Sequence, residues 1–203
     1  TELAKTLARR LRQSSATKGA PSPVATIAVV PGDRGVTQAR FAERLVEALA
    51  KAGGATLHLS SDRLDGCLGD GASQTSFDSL GNSRIVDWLN DQEDKYHYIL
   101  FECDLKPSVW TYRCLRQADL ILIVHTARGL PAISEIEAWM LSGEVSSGAR
   151  RELVMLHPDD AVKPVGTGRW LQVCQVETHH HVRAERRSDY ERVARLITGR
   201  SIS

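Results

Sequence analysis

The sequence predicts an α/β domain, a doubly wound and mainly parallel sheet with helices on both faces. The first observation is a regular alternation of strand-like runs with segments of helical period, which gives parallel strands joined by helical crossovers. The second is that the runs are apolar throughout, as in strands covered on both faces. With 203 residues, 42% of them hydrophobic, the chain can bury one sizeable core.

The strands are predicted from short apolar runs bounded by turn residues. Residues 24–30 read VATIAVV, and residues 119–125 read DLILIVH. β-Branched and aliphatic side chains of this kind are enriched in strands. The five predicted strands lie at 24–30, 55–60, 96–102, 119–125 and 151–157.

The helices are predicted from apolar side chains spaced three and four residues apart. In the first helix, Phe41, Leu45 and Leu49 share one face, and Gly53 follows where helices commonly end. A loop rich in glycine and serine is predicted over 66–83. The five predicted helices lie at 37–52, 83–95, 108–118, 132–142 and 188–198.

Four parts are predicted along the chain. Residues 1–13 form a short terminal helix of an upstream domain, because a linker rich in Ser, Gly and Pro follows at 14–23. The α/β domain spans 24–178. Residues 179–203 form a separate segment, rich in His and Arg, with a helix near its end.

Composition excludes several classes of function. Lys and Arg number 26 against 25 for Asp and Glu, so no global positive field predicts a nucleic-acid partner. The sequence contains no run of about 18 apolar residues, so no membrane span is predicted. The four cysteines include no Cys-x-x-Cys pair, which favours a cytoplasmic location. The basic end differs from the rest, and Arg186 and Arg187 are predicted to contact an acidic domain face or a membrane surface.

A phosphate-binding loop is the first candidate site. Ligands of doubly wound sheets bind beyond the carboxyl ends of the strands, and the loop after the first strand contains Gly32, Gly35 and Thr37. A working loop reads G-x-x-x-x-G-K-[ST], but Val36 stands in place of the phosphate-binding lysine. An inert loop without a cofactor is therefore favoured, and vestigial ATP or GTP binding with Mg²⁺ is the alternative.

The same loop resembles that of the bacterial chromosome-partition and septum-site ATPases, which reads K-G-G-x-G-K-T. Pro31 and Val36 replace the two lysines of that motif. The resemblance implies a P-loop-NTPase-like, or Rossmann-like, three-layer sandwich. It also puts Glu102 where those ATPases have a magnesium-associated aspartate, with Asp104 two residues later. The alternative function that it implies is a nucleotide-binding switch built from the loop and these two carboxylates.

A second resemblance extends over essentially the whole chain. The segments QEDKYHYILFECD, WTYRCLRQADLILIV and RRELVMLHP, followed by HHHVR and SDYERVARLITGRSI, resemble the neuropathy-target-esterase branch of the patatin-like phospholipases. In that family a degenerate α/β domain lies between a cyclic-nucleotide-binding domain and the patatin catalytic domain. The resemblance implies a non-catalytic linking or regulatory domain of a serine esterase that hydrolyses phospholipids or lysophospholipids. Those two neighbouring domains would be its intramolecular partners, and the helix in residues 179–203 would lead into the catalytic domain.

The residues agree with a non-catalytic role. Acyl-ester hydrolysis needs a serine on a sharp G-x-S-x-G turn, where backbone donors surround its hydroxyl. That motif does not occur in the 203 residues, so no catalytic residue is predicted. A plain protein-interaction domain with other neighbours is a further alternative.

Two side-chain clusters carry both a structural and a functional interpretation. His179, His180 and His181 could bind a metal, but neighbouring side chains of an extended segment point to opposite faces. A packed middle histidine is therefore favoured, and no metal is predicted. Arg113 and Arg116 lie three apart on one predicted helix, where they could bind a phosphate or a neighbouring domain, or fix the helix onto the sheet.

Overall fold

A computed structural model describes residues 25–33, 38–145, 147–163, 165–176 and 178–199. The described strands, β1 to β6, are Thr26–Pro31, Thr56–Leu59, Tyr98–Glu102, Leu120–Thr126, Arg150–His157 and Thr178–Arg183. The described helices, α1 to α7, are Gln38–Lys51, Ser61–Leu68, Asn82–Lys95, Val109–Gln117, Glu135–Leu141, Thr167–Leu171 and Arg187–Thr198, with a 3₁₀ turn at Ala72–Gln74. The terminal helix and linker predicted over 1–23 lie outside the described residues.

The strands form one parallel sheet in the order β2-β3-β1-β4-β5-β6. β1 therefore lies between β3 and β4, and Val29 is in register with Glu102 on one side and Leu122 on the other. The predicted α/β class is confirmed. The sheet is more regular than predicted, because every strand pair within the described residues is parallel.

Alternate residues of each strand supply two cores, one on each face of the sheet. Ile27 and Val29 of β1 pack in the core beneath α1 and α7. Ala28 and Val30 pack on the other face, beneath α2 to α5. This explains why the strands are apolar throughout. None of the described helices is long and apolar enough to cross a bilayer.

The loop predicted over 66–83 is partly helical. Ser60 caps α2, and its hydroxyl accepts a hydrogen bond from the backbone N–H of Arg63. Leu64 anchors this short helix in the core. The prediction was wrong here because Gly66 and the single buried apolar side chain hid the helical pattern, although Ser60 is a typical N-cap residue.

The division predicted after residue 178 is corrected by the sheet. β6 pairs with β5 along its whole length, and Val182 is fully buried in the core beneath α1 and α7. α7 packs along α1, where Tyr190 meets Phe41 with ring centroids 5.6 Å apart. The histidine-rich strand and the last helix are therefore part of the α/β domain.

Candidate functional site

The candidate site lies at the carboxyl edge of the sheet, where β1, β3 and β4 end side by side. The loop between β1 and α1 begins there. The N–H of Gly32 donates to the carbonyl of Val124 at 2.8 Å. The carboxylate of Asp33 accepts from the backbone N–H of Thr126 at 2.7 Å and from its hydroxyl at 2.9 Å. The start of the loop is thus fastened to the end of β4. Two other predicted loop residues, Gly35 and Thr37, lie outside the described residues.

The imidazole of His125 lies directly against Gly32. His125 is fully buried near the end of β4, and its ring packs on Trp170 with centroids 4.2 Å apart. A Cβ on residue 32 would stand only 2.3–2.4 Å from three atoms of that ring. Gly32 therefore leaves room for the ring of His125. In a phosphate-binding loop, a phosphate would occupy the space beside this glycine.

His125 is the polar centre of this region, and sequence reasoning missed it as a site residue. Its Nε2 lies 3.1 Å from Oε2 of Glu137, and its Nδ1 lies 3.7 Å from Oδ2 of Asp33. Burial opposes a charge on His125, but Asp33, Cys174 and Glu137 outweigh it and raise its pKa to about 10. The only sequence signal was a histidine inside an otherwise apolar strand.

Gln38, the first described residue of α1, ties the helix to the sheet. Its side chain is buried, and Nε2 donates to the carbonyl of Val29 at 2.8 Å and to that of Cys103 at 3.0 Å. These carbonyls belong to β1 and to the residue that follows β3. The amide thus bridges two adjacent chain segments at the edge where a nucleotide would bind.

The two carboxylates predicted for a nucleotide switch are both engaged with the protein. Glu102 Oε2 lies 2.8 Å from Nε2 of His58, on the outer strand β2. The carboxylate of Asp104 accepts three side-chain hydrogen bonds, at 2.6–3.1 Å, from Ser61, Gln74 and Ser108. Asp104 therefore organises the loops that follow β2 and β3.

The three consecutive histidines do not converge on one point. His180 is buried, and its Nε2 lies 2.7 Å from Oε2 of Glu152 on β5. His179 and His181 share the opposite side of β6, with ring centroids 5.4 Å apart. The Nδ1 atom of His181 lies 2.9 Å from Nε2 of His157. Burial, reinforced by the neighbouring His157, lowers the pKa of His181 to about 4.

Arg113 is an internal residue, which rules out the first of its two interpretations, a contact with a phosphate or a neighbouring domain. It is 1% exposed, and its guanidinium donates to Oδ1 of Asn82 at 2.9 Å and to the carbonyl of Thr75 at 3.2 Å. It also lies 4.3 Å above the ring of Phe77. Arg113 therefore fixes the 72–82 segment onto α4, while its neighbour Arg116 is exposed.

Arg186 and Arg187 lie on the surface at the start of α7. The side chain of Arg187 is 67% exposed and stands 3.6 Å from Glu191. Beside them, Glu185 pairs with both Arg40 and Arg44 of α1, and Glu191 also pairs with Lys51. We call the basic side chains of this surface, Arg40, Arg44, Lys51, Arg186 and Arg187, the α1/α7 basic surface.

The sheet order, the three layers and the position of the β1–α1 loop define a P-loop-NTPase-like α/β fold. Solved structures with this architecture include the MinD cell division protein of Aquifex aeolicus, with 16% identity, a TM-score of 0.55, and 88% of this chain and 99% of that chain covered. Another is cobyrinic acid a,c-diamide synthase from Mycobacterium smegmatis with bound ADP and magnesium. It has 11% identity and a TM-score of 0.63, and the match covers 87% of this chain and 96% of that chain.

The Neuropathy Target Esterase family P-loop like domain matches residues 23–199, and the chain belongs to that family.

Curated relatives agree with this assignment. The chain is 32% identical to mouse patatin-like phospholipase domain-containing protein 7 and 33% identical to human patatin-like phospholipase domain-containing protein 6, over 90% of its own length. It is 36% identical to lysophospholipase NTE1 of Yarrowia lipolytica over 79% of its length. The chain spans about 15% of the length of the two mammalian relatives and 11% of that of the third. The family resemblance predicted from the sequence is confirmed.

Proposed function

We propose that this domain is a non-catalytic linking and regulatory domain of a patatin-like serine esterase of lipid metabolism. The esterase would act on phospholipids or lysophospholipids, as the names of the relatives suggest. One observation carries the proposal: the protein's own side chains occupy or engage the groups that a nucleotide and Mg²⁺ would need. His125 lies against Gly32, and both candidate carboxylates have protein partners.

Charge supports the same proposal. A phosphate loop binds polyphosphate with backbone N–H groups, the helix N-terminus and a lysine. Here Pro31 and Val36 replace the two lysines of the partition-ATPase motif, and the carboxylate of Asp33 is held beside the loop by Thr126. A carboxylate beside the loop disfavours a polyphosphate, because like charges repel. The loop then serves to hold β1, β4 and α1 together.

The α1/α7 basic surface is the part of the domain that we propose to contact the catalytic domain. Glu185 and Glu191 are each shared by two basic side chains, and Glu43 also acts on Arg40, so the five basic side chains exceed these three acidic ones. Such a surface favours an acidic partner through complementary charge. A regulatory domain could hold its neighbour in this way without chemistry of its own.

The test is a double charge reversal, Arg186→Glu with Arg187→Glu, in the longer protein that carries the esterase domain. We expect esterase activity on lysophospholipid to change severalfold while the thermal midpoint stays within experimental error, because both side chains are exposed. The change should shrink as salt screens the contact.

The matched control reverses two exposed arginines on the other layer, Arg63 and Arg84, and is expected to leave activity unchanged. Binding to anionic vesicles is measured in parallel, and a loss of vesicle binding with unchanged activity would assign the basic surface to a membrane. Unchanged activity and unchanged vesicle binding would contradict any functional role for Arg186 and Arg187.

A further inference from the structure

We propose that His125, Glu137 and Cys174 form a zinc site inside this domain. Within the part of the chain that the structure describes, they are the one group of His, Cys and acidic residues whose potential ligand atoms all lie within 4.8 Å of one another. They come from β4, from α5 and from the segment after α6. Imidazole nitrogen, carboxylate oxygen and thiolate sulfur are the ligands that zinc prefers in proteins.

The separations suit tetrahedral coordination. Zinc binds nitrogen and oxygen at about 2.0–2.2 Å and sulfur at about 2.3 Å, so tetrahedral ligand atoms stand roughly 3.3–3.6 Å apart. Nε2 of His125 lies 3.1 Å from Oε2 of Glu137, and Sγ of Cys174 lies 3.5 Å from Oε1, the other oxygen of the same carboxylate. One potential ligand atom of each residue lies within 4.8 Å of one of each other residue. With the ring of His125 held in place, small rotations of the Glu137 and Cys174 side chains would bring the three ligand atoms around one ion, and a water molecule would complete the tetrahedron.

The surroundings also suit a metal ligand. A histidine bound to a metal commonly presents its other ring nitrogen to a carboxylate, which orients the ring. Here Nδ1 of His125 faces Asp33 at 3.7 Å, and Asp33 is in turn held by Thr126. The carboxylate of Glu137 is oriented by the backbone N–H of Ser134, at 2.8 Å. A backbone hydrogen bond thus positions Glu137, and Asp33 stands beside Nδ1 of His125 just beyond hydrogen-bond distance.

Burial and charge balance favour a divalent ion. His125, Glu137 and Cys174 are 0%, 3% and 5% exposed. Zinc binding displaces the protons of the imidazole and of the thiol. The neutral imidazole, carboxylate and thiolate that remain carry two negative charges, which Zn²⁺ neutralises, so the three ligands and the ion together carry no net charge. The ion would link β4, α5 and the segment after α6, and it would stabilise this edge of the sheet.

The test uses Co²⁺ as a spectroscopic probe of the tag-free 203-residue protein, together with zinc analysis after dialysis. We expect one equivalent of metal per chain, visible d–d bands of tetrahedral intensity, and a sulfur-to-cobalt charge-transfer band. Cys174→Ala should abolish the charge-transfer band, and Glu137→Gln should weaken metal binding. Asp33→Asn should weaken it by about ten- to a hundredfold, as for residues that orient metal ligands.

Two matched controls separate this site from other ligands in the chain. Cys67→Ser removes an exposed thiol and His179→Ala removes an exposed imidazole of the histidine run, and both variants should keep the charge-transfer band. Circular dichroism shows whether each variant is folded. If Cys174→Ala does not fold, the isosteric variant Glu137→Gln tests the site, and a folded Glu137→Gln that binds cobalt as tightly as the wild type overturns the proposal. A folded wild-type protein that binds no cobalt overturns the proposal, as does a charge-transfer band that persists without Cys174.

Discussion

Gly32→Ala is expected to lower the free energy of unfolding by about 2–3 kcal/mol, as overpacking of a rigid interior does. The added Cβ would stand 2.3–2.4 Å from the imidazole of His125, which is itself packed on Trp170. The ring cannot move without breaking its contacts with Glu137 and Trp170. Urea denaturation followed by circular dichroism measures the change.

A second glycine provides the control. Gly66 lies within α2, and a Cβ there would meet no atom within 4 Å. Gly66→Ala is therefore expected to stabilise the domain by about 0.5–1 kcal/mol, through the entropy of the unfolded chain. If Gly32→Ala also leaves stability unchanged or raises it, His125 does not occupy the space in front of the loop.

Arg113→Ala is expected to lower the free energy of unfolding by about 3 kcal/mol or more, since it breaks buried hydrogen bonds to a charged group and leaves a cavity. The substitution removes the donors to Asn82 and to the carbonyl of Thr75. Arg113→Lys keeps a charge but lacks the planar donor group, so we expect an intermediate loss. Thermal and urea unfolding provide the measurement.

Arg116→Ala is the matched control on the same helix. Arg116 is exposed, and its guanidinium lies 5.7 Å from the ring centroids of Phe77 and Tyr112. Its loss should cost about 0.5–1 kcal/mol or less, as for exposed cation–π contacts. Equal losses in the two alanine variants would contradict the structural role assigned to Arg113.

The fold could be predicted from local pattern wherever apolar side chains determine the element. β1 and β4 were predictable because they are apolar throughout. The place of β6 in the sheet was not predictable, because the strand reads THHHVR and its histidine-rich start has no apolar pattern. His180 is buried there only because Glu152, 28 residues earlier, pairs with it. Burial of a polar side chain can be predicted only when its polar partner is also known, and the local sequence around His180 does not contain Glu152.

The candidate site was predictable in position but not in content. The missing lysines identified the β1–α1 loop as unusual from the sequence alone. The contacts within the candidate site join residues far apart in the chain. Asp33 and Thr126 are separated by 93 residues, and Gln38 and Cys103 by 65. Since register between strands decides such contacts, His125 could not be placed against Gly32 before the sheet order was known.

The central claim is our proposal that this domain has a structural role and does not bind nucleotides. The most direct test is calorimetric titration of ATP and of GTP, each with Mg²⁺, into the 203-residue protein. We expect no binding heat up to millimolar nucleotide, because the ring of His125 fills the space beside Gly32, and the carboxylates of Asp33 and Asp104 accept hydrogen bonds from the protein. Micromolar binding that depends on Mg²⁺ would contradict the claim and would favour a nucleotide-binding switch.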